Sequence, residues 1–131
     1  KLFRIAGRTA TVAASGEALS KPNGITWDRA NSRFILGPFG SPSLMTWAPG
    51  DSAPATFATG PGQYDGVELL ADGRLLVTSW ADSSVWSYRG TTPTRLITGV
   101  NAPADIGVDT KRGRVAVPLF LDNRVEIYDI H

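Results

Sequence analysis

Three times along this 131-residue chain the same order of residues returns, 40 to 42 positions later each time. A polar residue opens an apolar run at Asn23, Asp65 and Asp105. An arginine leads a second run at Arg33, Arg74 and Arg114. Eleven residues on, Leu44, Val85 and Val125 begin a third run, which closes on Trp47, Tyr88 and Tyr128. A period near 40 residues with several short runs per unit is the pattern of propeller blades. The chain therefore reads as all-β: a β-propeller segment of about three four-stranded blades, half of a six-bladed ring. Blades bury their faces on one another, and three cannot close a circle.

The runs are short, rich in β-branched and aromatic residues, and bounded by turn formers. In the first blade they are Asn23–Trp27, Arg33–Leu36, Leu44–Trp47 and Ala55–Ala58. The second has Gly66–Leu70, Arg74–Thr78, Val85–Tyr88 and Thr94–Ile97, and the third Ile106–Val108, Arg114–Val117 and Val125–Tyr128. Asp72-Gly73 between two apolar runs is a hairpin signal, and Asn31-Ser32 and Lys111–Gly113 stand at the same place in the other blades. Leu2–Gly7 matches Val85–Gly90, and Thr11–Ala13 matches Arg95–Ile97. The expected division is 1–14 as the end of a broken blade, 20–60 and 62–100 as blades, and 101–131 as a last blade lacking its outer strand. Such a wedge exposes an apolar sheet face at each end, and an apolar patch of that size calls for a partner. The expected partner is a missing N-terminal half of the propeller or a second copy of the chain.

Composition narrows the function. With 13 basic and 12 acidic residues the net charge is +1, and no basic stripe stands out, which gives no case for nucleic acid. The apolar runs are strand-sized, so no membrane-spanning helix is expected. The absence of cysteine removes disulfides, thiolate metal sites and cysteine nucleophiles. The one histidine is His131, read as a tail residue, so no Ser–His–Asp triad is available within the chain. Gly60-Pro61-Gly62 lacks the lysine of a phosphate-binding loop.

What remains is the position that opens each first strand. In a propeller this loop lies at the rim of the central channel, so Asn23, Asp65 and Asp105 are expected to converge on one axis. Their oxygens are hard donors, suited to Ca²⁺, Mg²⁺, Mn²⁺ or Zn²⁺. Asn-Gly and Asp-Gly are also common turn dipeptides, and a turn or strand-cap role stays open for all three positions. Phe39, Trp80 and Phe120 recur in the loops after the second strands. They read either as an apolar rim of a substrate mouth or as inter-blade packing, with packing favoured. Trp27, Trp47 and Trp86 fall on strands and are expected in the core.

Asn23-Gly24-Ile25 followed by Asp65-Gly66-Val67 resembles the senescence marker protein / gluconolactonase / luciferin-regenerating enzyme family of six-bladed propellers. The resemblance implies a metal-dependent hydrolase of lactones or related esters, with Asn23 and Asp65 as ligands of a divalent metal. Asp65 would also act as the catalytic base. Tyr64 stands where that family carries proline. The family's early-blade glutamate has no counterpart here, since Glu17 and Glu68 are not at the matching position. The resemblance also favours a periplasmic or secreted protein over a cytoplasmic one. The alternative is a non-catalytic binding or assembly module within a larger complex.

Overall fold

The computed structural model describes residues 1–130, and His131 lies outside the described residues. Among the described residues thirteen strands make four antiparallel sheets. A two-stranded sheet holds β1 (Leu2–Ala6) and β2 (Thr9–Ala14). The first full blade is β3 (Pro22–Asp28), β4 (Arg33–Pro38), β5 (Ser43–Trp47) and β6 (Ala55–Thr59), paired in that order. The second is β7 (Tyr64–Leu69), β8 (Arg74–Ser79), β9 (Ser84–Arg89) and β10 (Thr92–Thr98). The third has three strands: β11 (Gly107–Asp109), β12 (Arg114–Leu119) and β13 (Arg124–Asp129). The only helical pieces among the described residues are three short 3₁₀ turns. The architecture is the one the repeat implies.

Blades are held together by two apolar layers with the same plan. Between the first two blades, Ile35 and Leu44 meet Val67, Leu75, Val77 and Tyr88. Between the second and third, Leu76 and Val85 meet Ile106, Val115 and Val117. Each strand thus sends alternate side chains to the blade before it and the blade after it, which is why few polar residues interrupt the runs. Tyr64, at the position where proline was expected from the family pattern, is fully buried and its hydroxyl donates to the Pro42 carbonyl at 2.9 Å. It serves as a tie between the first two blades.

Near the channel the inner strands approach backbone to backbone. A Cβ on Gly24 would collide with the Asp65 carbonyl oxygen and come within 2.7 Å of Val67 Cγ2. A Cβ on Gly66 would lie 2.7 Å from the Ile106 nitrogen and 3.1 Å from the Ala104 oxygen. Neither glycine has positive φ; both sit inside strands. The turn reading of Asn23-Gly24 and Asp65-Gly66 is therefore corrected: the glycines are spacers between blades. Thr78, fully buried, completes the second contact by accepting from the Gly66 N–H at 2.7 Å and donating to the Ala104 carbonyl at 3.2 Å.

Trp47 is buried in the core, whereas Trp86 is half-buried beneath the Arg95 guanidinium, 4.9 Å from its ring centroid. Trp27 departs from expectation and is 41% exposed, because only two strands stand in front of its sheet. Gly107, in contrast to Gly24, has open space where a Cβ would go. We therefore expect Gly24→Ala to cost about 3 kcal/mol of stability by overpacking, and Gly107→Ala to stay within about 0.5 kcal/mol of the parent. Urea denaturation midpoints of the two variants check the contrast.

Candidate functional site

The channel mouth is built three times from one local device. Lys21, Gln63 and Ala102 adopt left-handed backbone conformations, with φ of 56°, 48° and 47°. Their carbonyls accept from the backbone N–H of Phe39, Trp80 and Phe120 at 2.9, 3.1 and 3.1 Å. Three non-glycine residues held at positive φ represent stored backbone strain, repeated in every blade. Immediately after them each first strand carries one residue more than its partner. Pro22 to Gly24 faces Pro38 to Gly37, Tyr64 to Val67 faces Ser79 to Val77, and Pro103 to Gly107 faces Leu119 to Ala116. A bulge of this kind re-aims the side chain it carries.

These registers fix which residues are equivalent. Lys21, Gln63 and Ala102 align, so the next-but-one residues are Asn23, Asp65 and Ala104. The glycine position that follows holds Gly24, Gly66 and Asp105. The close contacts agree: Gly24 abuts Asp65 and Val67, and Gly66 abuts Ala104 and Ile106. Asp105 is thus one residue out of the phase that its spacing implied. Asn23 and Asp65 are true counterparts in adjacent blades, and the third blade places an alanine between its bulge and its strand.

Asp65 is half-buried, and burial followed by the nearby Asp105 charge pushes its carboxyl above the ordinary carboxylate value. The Trp80 indole and the Asn23 side chain lie close enough to offset part of that rise. Trp80 Nε1 is itself buried and completes no hydrogen bond of good geometry, so it acts on the carboxyl as an adjacent dipole. Glu68 is raised as well, again by burial first and by Asp105 second. Asn23 and Asp105 are exposed at the mouth. Among the described residues no three His, Cys, Asp or Glu side chains gather as a cation-holding group. The arrangement that sequence spacing did locate is therefore a carboxylate and an amide on neighbouring blades. Glu68, on the same strand as Asp65, does not stand where the resembled family carries its glutamate; its link to the site runs through the charge of Asp105, whose place in the register spacing alone misassigns. The donors present, carboxylate and amide oxygens, fit the chemistry of a hard divalent cation.

The aromatic residues of the mouth form a row across the three blades. The Trp80 ring lies 5.6 Å from Phe39 and 5.6 Å from Phe120, centroid to centroid. The inter-blade packing reading describes these contacts. Phe120 remains 63% exposed, so the end of the row also fronts solvent.

Comparison with known proteins bears on the fold. No family model matches the chain, and no curated protein matches it. Among solved structures it is similar to a chain of a nidogen/laminin complex, with a TM-score of 0.75 and 16% identity over 95% of this chain and 51% of that one. It is also similar to a streptogramin B lyase, with a TM-score of 0.63 and 13% identity over 85% of this chain and 41% of that one. A virginiamycin B lyase from Staphylococcus aureus gives a TM-score of 0.56 and 14% identity over 85% and 42%. The chain thus spans about half, or less, of each of these chains. At such identities the likeness establishes the fold: this chain is a β-propeller segment.

The raised Asp65 carboxyl has a consequence for stability. Its folded value lies above its unfolded one, so its favourable contribution is present below the ordinary carboxylate range and is lost as pH rises through the elevated folded value. Asp65→Asn removes that loss. Its melting temperature is expected to exceed the parent's near neutral pH, with the gap closing as the solution is acidified, in thermal melts of the cation-free protein.

Proposed function

We propose that this chain carries the channel-mouth site of a propeller that binds a divalent cation through Asn23 and Asp65 and hydrolyses lactones or related esters. The observation that carries the reading is the pairing of Asn23 with Asp65 at equivalent bulges of adjacent blades, one donor from each. The suppressed ionisation of Asp65 supports it, since burial and a second carboxylate disfavour charge where a cation would restore it. A cation held there supplies Lewis acidity toward a carbonyl and acidifies water.

The chain's own residues supply the rest. Asn23 offers a neutral oxygen and keeps the donor set from accumulating charge. Asp65 is the acidic side chain at this position, and a carboxylate oxygen left free beside the cation can take a proton from water, the role of a general base. Phe39 and Trp80 border the same mouth and reduce its wetting. The similarity to two lyase structures is compatible with an enzymatic role in this fold. By the register, Asp105 enters this scheme as a modulating charge and not as a ligand.

A second reading, a binding or assembly module, draws on the apolar side chains exposed at both ends of the wedge, including Ile5 at 74% and Ile127 at 67%. One experiment separates the two. Titration calorimetry with Ca²⁺, Mg²⁺, Mn²⁺ and Zn²⁺, alongside hydrolysis of a simple lactone, is expected to show cation binding and turnover that Asp65→Ala abolishes. Asn23→Ala is expected to weaken cation binding about tenfold, the factor that corresponds to 1.4 kcal/mol. Turnover retained by Asp65→Ala refutes the catalytic reading, and no cation binding with intact assembly favours the module.

A further inference from the structure

The exposed apolar side chains at the N-terminal end have a definite geometry. Ile25 and Trp27 lie on β3, the innermost strand of its blade, and are 48% and 41% exposed. Their counterparts one blade on are Val67, only 2% exposed, and the half-buried Leu69. The difference is what stands in front of them. Val67 Cγ2 packs where Cβ atoms of Gly24 and Gly37 would be, on the two inner strands of the preceding blade. In front of Ile25 and Trp27 there are only β1 and β2, and these are outer strands. Gly7 and Gly90 occupy the same tight hairpin with the same φ of 59°. Ala6 faces Thr9 across it as Arg89 faces Thr92. Strand β1 is therefore a third strand like β9, yet the edge that β8 fills on β9 has no partner on β1 among the described residues.

We infer that the free edge of β1, backed by Ile25 and Trp27, is the seat of a two-stranded β-hairpin supplied by a polypeptide segment other than a copy of this chain. One strand of that hairpin pairs with β1 through backbone hydrogen bonds, as β8 pairs with β9. The other becomes the innermost strand. The hairpin is apolar on alternate residues and carries small residues over Ile25, as Gly24 and Gly37 lie over Val67.

Strand parity excludes a second copy joined head to tail in the same ring. The strand left at the far end is β13, which aligns with β9 and is also a third strand. Neighbouring strands of every blade here run antiparallel. Two third strands point the same way in a common ring, so β13 of one copy and β1 of another meet in the wrong sense. Asp105 adds a steric bar. It occupies the position of Gly24 and Gly66, where a closely packed following blade brings backbone atoms to within contact of any Cβ. A blade seated on the far face therefore has to stand farther from Asp105 than the second and third blades stand from Gly24 and Gly66.

The test uses a head-to-tail cyclised peptide containing residues 64–79, the β7–β8 hairpin, which has no tryptophan. Cyclisation holds the hairpin folded, which an isolated linear one does only marginally. Saturable binding with a blue shift of tryptophan emission is expected, and the shift is expected to vanish in Trp27→Phe. Ile25→Arg, whose fold is checked by circular dichroism, should weaken binding at least tenfold, while Val125→Arg on the opposite face should leave it unchanged. Absence of saturable binding overturns the proposal, as does binding indifferent to Ile25→Arg. So does a dimer of the chain, seen by sedimentation, that Ile25→Arg dissolves, since the seat would then belong to a second copy.

Discussion

The structure depends on one close approach: the inner strand of each blade presses its backbone against the inner strand of the next. At that point there is no space for a side-chain carbon, and glycine stands at Gly24 and Gly66 for this reason. The contact sets the angle between blades, and with it which side chains can interdigitate further out. Val67 reaches the first blade only because Gly24 and Gly37 leave room for it. Thr78 then fixes the second junction with two hydrogen bonds through a single buried hydroxyl. A buried hydroxyl that both accepts and donates adds stability without leaving a polar atom unpaired. The apolar layers supply most of the free energy, but this polar and steric detail near the axis determines their register.

Much of the fold was legible in the sequence because it is written three times. A single alternating run such as Arg74–Thr78 is ambiguous alone; three runs at matching spacing and with the same leading arginine are not. Placement on strands also led Trp27, Trp47 and Trp86 to be expected in the core. Trp27 escaped this logic because its burial depends on strands in front of it and not on its own pattern. Trp47, on the third strand of the same blade, is covered by Leu2 and Ala14 from β1 and β2, and is buried. Pattern reports what a residue prefers, while exposure reports what the neighbouring strands provide.

The equivalence of Asn23 and Asp65 was legible in the sequence, and the place of Asp105 was one residue off. The spacing from Asp65 to Asp105 differs by two from that between Asn23 and Asp65, and because every first strand carries the same bulge the difference lies elsewhere along the blades. Side chains alternate faces along a strand, so a one-residue slip moves a carboxylate from one environment to another. Backbone pairing shows that Ala104, and not Asp105, stands where Asn23 and Asp65 do. Asp105 still acts on the site through space, since its charge helps raise both Asp65 and Glu68. The electrostatic role survives the loss of the geometric one. Conversely, the dipeptides that look like turns are spacers, because a turn and a close approach both require glycine and sequence alone does not distinguish the two.

The open end and the candidate site are neighbours, and this links assembly to chemistry. Asn23 precedes Gly24 and Ile25 on β3, so the surface that would seat a hairpin begins two residues from a proposed donor. Within the chain, each inner strand brings its bulge residue beside that of the next, as Asn23 stands to Asp65. A hairpin seated on β1 in the same register would bring its own bulge residue beside Asn23. Going the other way around the axis the series ends in Ala104, which has no oxygen to offer from its side chain. On the proposed reading, the side of Ile25 and Trp27 is therefore where a donor next to Asn23 enters. On that reading, a chain with that seat empty offers the cation two side-chain donors, Asn23 and Asp65. On the same reading, a hairpin in the seat brings a further donor and covers the exposed tryptophan, so occupancy of the seat and affinity at the mouth are expected to rise together.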